Sequence, residues 1–152
     1  MGSDPIVTPA RVSALLAAGA DPNARNSQGR TPLFYATAAA LGLLLGAGGD
    51  ARARDSGGQT ALHLQALSSP ESIALLLAAG AEVNARDASG ETPMHKVAGM
   101  KEPWERLWRP LLAAGAEINV ANEAGELAAV AMGAAANEAG ATVLSSAVIC
   151  CA

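Results

Sequence analysis

Residues 80 to 95 read Gly80-Ala81-Glu82-Val83-Asn84-Ala85-Arg86-Asp87-Ala88-Ser89-Gly90-Glu91-Thr92-Pro93-Met94-His95, and the fold follows from what this stretch repeats. Its opening Gly-Ala-acid-x-Asn run recurs as Gly19-Ala20-Asp21-Pro22-Asn23 and Gly115-Ala116-Glu117-Ile118-Asn119. A worn copy stands at Gly48-Gly49-Asp50-Ala51-Arg52. Its middle, an Asn/Asp-x-x-Gly turn, recurs at 26–29, 55–58 and 122–125. Its end recurs as Thr31-Pro32-Leu33 and Thr60-Ala61-Leu62-His63. Self-similarity at this period marks a solenoid, in which no unit buries its apolar face alone.

Each part of the unit has a local reason. Asp87 bonds its own following backbone, and Gly90 supplies the positive φ that such a turn needs. Thr92 stands where a helix begins and caps its free N–H groups, with Pro93 at the first helical position, where a missing donor is harmless. Met94, Val97 and Ala98 share one face of a short helix. A loop over 99–103 reverses the chain. A second helix over 104–114 then turns Leu107, Trp108, Leu111 and Leu112 inward at helical spacing. Gly115 ends it as a left-handed cap.

This turn–helix–loop–helix–hairpin unit resembles the ankyrin repeat, over about residues 7 to 136. The residues that carry the likeness are the Asp-x-x-Gly-x-Thr-Pro-Leu-His openings and the Leu-Leu-x-x-Gly-Ala-acid-x-Asn closings, in fixed order. The expected fold is a mainly α solenoid of stacked helix–loop–helix units joined by β-hairpin-like loops. It would hold about three full repeats plus N- and C-terminal capping units, as a solenoid requires. The expected single domain spans 1–152. It divides into a capping helix (7–25), a shortened repeat (26–54), a repeat (55–86), a repeat with a longer loop (87–121) and closing helices (122–152).

Spacing locates the departures. The turn glycines 29, 58, 90 and 125 lie 29, 32 and 35 residues apart. The hairpin side is constant, at 10 residues from Gly19 to Gly29, from Gly48 to Gly58 and from Gly80 to Gly90. Length therefore changes only in the helical pair: 17 residues from Thr31 to Gly48, 20 from Thr60 to Gly80, and 23 from Thr92 to Gly115. A loss close to one helical turn keeps the apolar face aligned. A short, kinked helix pair is expected over 31–46, and a protruding loop over 99–104. At the ends, Val12, Leu15 and Leu16 should turn inward from a single helix over 8–18. Helices over 126–136 and 141–151 should close the array, the last with an apolar face of Val143, Leu144, Ala147, Val148 and Cys151.

Composition narrows the function. The 152 residues carry a net charge of -4, which argues against a nucleic-acid binder. The first 60 residues hold five arginines and four acids, the rest five bases and ten acids, so the second half suits a basic partner surface or a solvated face. Cys150 and Cys151 are adjacent and give neither a disulfide framework nor a zinc spacing. No signal peptide and no apolar run long enough to cross a membrane are seen, so a cytoplasmic location is expected.

His63 and His95 are the only histidines, and each sits in a Thr-x-x-His turn where the ring can bond the Thr hydroxyl. No nucleophile elbow and no phosphate loop occur. An enzyme is not expected, nor any cofactor or metal. Arg25, Arg54 and Arg86 occupy equivalent places and should form a ladder neutralised by Asp21, Asp50, Glu82 and Glu117. Trp104, beside Pro103, is a candidate exposed anchor. Pro110 should bend the second helix near Arg106.

The resemblance implies a protein-interaction module whose partner docks on a concave face of hairpin tips and first helices. Carried onto this chain, the tips are Ser27, Gln28 and Arg30; Ser56, Gly57 and Gln59; Ala88, Ser89 and Glu91. The first helices add Ala38, Ala39, Leu67, Ser68, Gly99 and Met100. Arg30, Leu67 and Met100 are the best anchors among them. The expected partner is a protein, with no nucleic acid and no membrane. Two alternatives stand beside a general interaction module. One is a dedicated inhibitor or immunity-type protein that blocks one enzyme or toxin. The other is a structural protein that self-assembles through the apolar C-terminal helix. A monomer is expected, with a homodimer through that helix as its alternative.

Overall fold

The computed structural model describes residues 8–98, Met100 and 105–128. The expected loop over 99–104, Trp104, the closing helices beyond 128 and Cys150 and Cys151 lie wholly or largely outside them. Along the chain stand α1 (Pro9–Ala17), a single 3-10 turn (Pro32–Phe34), α2 (Ala38–Gly46), α3 (Ala61–Gln65), α4 (Pro70–Ala78), α5 (Pro93–Ala98) and α6 (Glu105–Ala113).

These elements form two rows. The 3-10 turn, α3 and α5 stack as first helices, while α1, α2, α4 and α6 stack behind them as the second row. Within a unit the pairs are the turn with α2, α3 with α4, and α5 with α6. Leu33, Leu41, Leu62, Ile73, Leu76, Met94 and Leu111 are fully enclosed between the rows. Burial of this kind, shared between neighbours, is what holds a solenoid together.

Helix ends follow the local chemistry. Thr37 caps α2 and Ser69 caps α4 through their side-chain oxygens. Gly115 ends α6 with φ of 86°, and Gly58 turns the second tip with φ of 75°, a region that costs a side-chain-bearing residue strain. The worn copy of the closing motif also has a cause. A Cβ on Gly49 would lie 2.8 Å from the Leu44 carbonyl oxygen, so the Ala found elsewhere does not fit.

Two expectations are corrected. The shortened unit is not a kinked helix pair: α2 keeps nine residues, as does α4, and all the loss falls on the first helix, reduced to the 3-10 turn. Leu15 does not face inward; it is 58% exposed, because α1 packs chiefly on α2 and reaches the core with Val12 and Leu16. In α6, Leu107, Trp108 and Leu111 are buried as expected, and Leu112 half so.

Losing the first helix leaves main-chain carbonyls without their i+4 partners. Gln65, from α3 of the following unit, meets them: its Nε2 donates to Leu33 O at 3.1 Å and to Ala36 O at 3.0 Å. The side chain is 97% buried by the same token, at 3% exposure. Gln65→Leu fills the space but orphans both carbonyls, and should cost about 2–3 kcal/mol. Urea denaturation measures this; an unchanged midpoint would mean the amide is incidental.

Candidate functional site

The tips are built by one side-chain oxygen each. Asp55 Oδ1 accepts the Gly57 and Gln59 N–H groups at 2.9 Å, and Asp87 Oδ1 accepts those of Ser89 and Glu91 at 2.9 and 3.0 Å. Asn26 and Asn122 do the same. With its own amides so used, each tip bonds its neighbour. Ser56 N–H donates to Gln28 O, Ala88 N–H to Gly57 O, and Glu123 N–H to Ser89 O, each at 2.9 Å. Four tips thus stand in one hydrogen-bonded row.

Beneath that row, side chains also reach from one unit to the next. Arg30 Nε donates to Asp55 Oδ2 at 2.8 Å, and Gln59 Nε2 to Asp87 Oδ2 at 3.3 Å. Asn122 replaces the Asp where the preceding unit offers Glu91, so two carboxylates do not meet. Lys96 pairs with Asp87 at 3.0 Å and with Glu91. Burial acts against the Lys96 charge, but the hydrogen bonds to Glu91 and Asp87 outweigh it and raise its pKa. For Asp55 and Asp87, burial alone would raise the carboxyls. The bonds from Arg30 and Lys96, with the turn N–H groups, instead hold both below the ordinary value.

The arginine ladder exists, but carboxylates do not satisfy most of it. Arg25 Nη1 donates to Arg54 O at 2.8 Å, Arg54 Nη1 to Arg86 O at 2.7 Å, and Arg86 Nη2 to Ala121 O at 2.7 Å. Among the described residues, Arg54 alone of the three also meets an acid, Glu82, at 3.3 Å. Asp21 and Asp50 are used instead to accept the N–H groups of Asn23 and Arg52. Asn23 and Asn84 are a second set of staples. Each donates to the glycine carbonyl of the next closing motif, Gly48 or Gly115, and accepts an N–H from Asp50 or Glu117. Arg52, standing for the Asn in the worn copy, keeps only the donor half, to Gly80 O at 2.9 Å.

Both histidines act as expected and do more. Thr60 N–H donates to His63 Nδ1 at 3.1 Å, so Nδ1 carries no proton and Nε2 donates to Glu91 O, 3.0 Å away in the next unit. His95 joins Thr92 to Glu126 O in the same pattern. In the first unit Phe34 takes the place of the histidine, and Thr31 Oγ1 is left buried without a partner. Phe34 and the following Tyr35 instead lie under the Arg30 guanidinium, 5.9 Å from each ring centre.

Of the expected site residues, Ser27, Gln28, Ser56, Leu67, Ser89 and Met100 are exposed. Arg30, Gln59 and Glu91 are half-buried and engaged within the chain, as just described. Sequence reasoning passed over Tyr35, which is 47% exposed and donates its hydroxyl to Gln28 Oε1 at 3.1 Å. The signal was present: Phe34-Tyr35 replaces the His-Leu and His-Lys pairs of the next units.

A family model for ankyrin repeats in three copies matches residues 8–87. The chain belongs to the ankyrin repeat family. No curated protein matches it. Ankyrin repeats are in general protein–protein interaction modules. Among the described residues no cluster of His, Cys, Asp or Glu suits a metal ion. No helix among them is long and apolar enough to cross a membrane.

The buried histidine makes this ankyrin array sensitive to mild acid. Burial pushes the His63 pKa below its ordinary 6.5, so the unfolded chain takes up this proton at higher pH than the folded one. Its stabilisation is complete above pH 6.5 and declines as pH falls toward the lowered folded value. Asp55 and Asp87, lowered from 3.8, keep their contribution above that value and lose it as the pH falls from there through their folded values. His63→Gln retains the capping geometry without the titration. The excess melting temperature of wild type over this variant should therefore shrink between pH 7 and 5. A pH-independent difference would contradict the assignment.

Proposed function

We propose that this chain is a non-catalytic adaptor whose protein partner docks on the concave row of tips and first helices. The observation that supports this reading is the main-chain row itself, Gln28 to Ser56, Gly57 to Ala88 and Ser89 to Glu123. Side chains held on such a row lose little further freedom on binding. Ser27, Gln28, Ser56 and Ser89 supply its exposed polar contacts, and Leu67 and Met100, 40% and 37% exposed, its apolar ones. Arg30, Gln59 and Glu91 set the spacing from beneath and offer their outer edges. Trp104, beside Pro103 in the sequence, is proposed as a further anchor. Tyr35 is added here as the aromatic anchor that such interfaces favour.

The exposed tip positions 27–28, 56–57, 88–89 and 123–124 hold no Lys or Arg, which favours a protein over a nucleic acid. The acid surplus after residue 60 favours a basic partner, and the narrower form of the proposal is an inhibitor that covers the basic cleft of one enzyme or toxin in the cytoplasm.

A photo-crosslinking residue at Ser56, in the host cell, should trap a discrete protein. The same residue at Ala74, exposed on α4 in the second row, should not. Equal trapping at both positions, or none at Ser56, would defeat the proposal.

A further inference from the structure

Four residues before each closing glycine stands a leucine: Leu15, Leu44, Leu76 and Leu111. The main chain around them is the same, since each carbonyl accepts the N–H of the residue after that glycine, Ala20, Gly49, Ala81 or Ala116. Leu44, Leu76 and Leu111 are at most 3% exposed, whereas Leu15 is 58% exposed. The first row makes the difference. The 3-10 turn, α3 and α5 cover the later three from within their own units, and no described element stands in that place beside α1. The first hairpin shows the same contrast. Ala20 and Ala24 are exposed, while Ala81 and Ala116, and Ala53 and Ala85, at the matching positions are buried. The leading edge of the array is an unfilled stacking surface.

The main chain says what would fill it. Between units an Asn side chain donates to a closing glycine carbonyl and accepts the N–H two residues on, as Asn84 does with Gly115 and Glu117. A tip carbonyl also accepts the next tip's N–H, as Ser89 does from Glu123. At the leading edge the receiving groups are Gly19 O, Asp21 N–H and Ser27 N–H, and none of them has such a partner among the described residues. At the trailing edge the giving groups are the Asn119 side chain and Ala124 O, on two exposed residues. Their spacing matches that of the internal joins: five residues from Asn119 to Ala124, as from Asn84 to Ser89, and eight from Gly19 to Ser27, as from Gly115 to Glu123. The trailing edge also turns helical at Ala128, where a first-row element begins, the part that α1 lacks. Charge agrees, with Glu117, Glu123 and Glu126 exposed on the trailing edge and Arg11 and Arg25 on the leading one.

We infer that a second copy of this chain docks on the leading edge through its own trailing edge. Asn119 of one copy donates to Gly19 O of the next and accepts its Asp21 N–H, Ala124 O accepts its Ser27 N–H, and the helix starting at Ala128 covers its Leu15. Such a join is heterologous, so it does not close at two copies and the row of units continues. It goes beyond the adaptor reading and leaves the outer sides of the tips open.

Sedimentation equilibrium of the full chain tests this. The average mass should rise past that of a dimer as concentration increases, and fall back at high salt, which screens the attraction between the edges. Leu15→Asp spoils only the leading edge and Asn119→Ala only the trailing one. Each alone should weaken association about tenfold or more, and both should melt as wild type, since both side chains are exposed. Mixed in equal amounts, the two variants should pair through the one intact join and grow no further. A monomer at every concentration would overturn the inference. So would a dimer that stops at two copies, or association that Leu15→Asp leaves intact, because either puts the contact elsewhere. Variants that stay monomeric when mixed would overturn it as well.

Discussion

A carboxylate or carboxamide oxygen at the first position of each turn accepts two N–H groups of its own tip, and everything else depends on that. Asp55 and Asp87 close their tips from within. The remaining polar groups are thereby free to pair outward, with the next unit. The tips form a main-chain row, the arginines bond the carbonyl of the following arginine, and the histidines tie one opening to the next. A 3-10 turn and a five-residue α3 would be marginal alone, since short helices do not hold in water. They persist because neighbours bond them, the turn through Gln65 of α3, and α3 through that same bond and through His63 to Glu91 O.

Departures from the repeat concentrate in the first full unit, and they explain one another. A shortened first helix exposes carbonyls, which recruit Gln65. Phe34 in the histidine place removes one staple and leaves Thr31 Oγ1 unpaired. The same change puts two aromatic rings beneath Arg30, one of them half in solvent. These local inconsistencies gather in one unit, a pattern expected where function overrides local consistency.

The amino-acid order disclosed much of this. Turns, caps and helix pairs are local chemistry, and a Thr-x-x-His or an Asp-x-x-Gly spells out its own bonds. Location of the length change between 31 and 48 was legible too, from spacing alone. What stayed hidden depends on acceptors that carry no letter. Main-chain carbonyls accept from Arg25, Arg54, Arg86 and the Gln65 Nε2, and of the acids expected beside the ladder only Glu82 meets one of its arginines, Arg54, among the described residues. Leu15 shows a related limit, because periodicity reports an apolar face and not which part of it meets a neighbour.

Native-state hydrogen exchange at the Ser56 and Ala88 amides, the donors between tips, tests the dependence of each unit on the next most directly. If neighbouring units support one another, both amides exchange slowly, with the same opening free energy as the buried Leu62 and Leu76 amides. Exchange at the rate of an unstructured loop, while Leu62 and Leu76 stay protected, would show that the tips hang independently on a separately stable helical core.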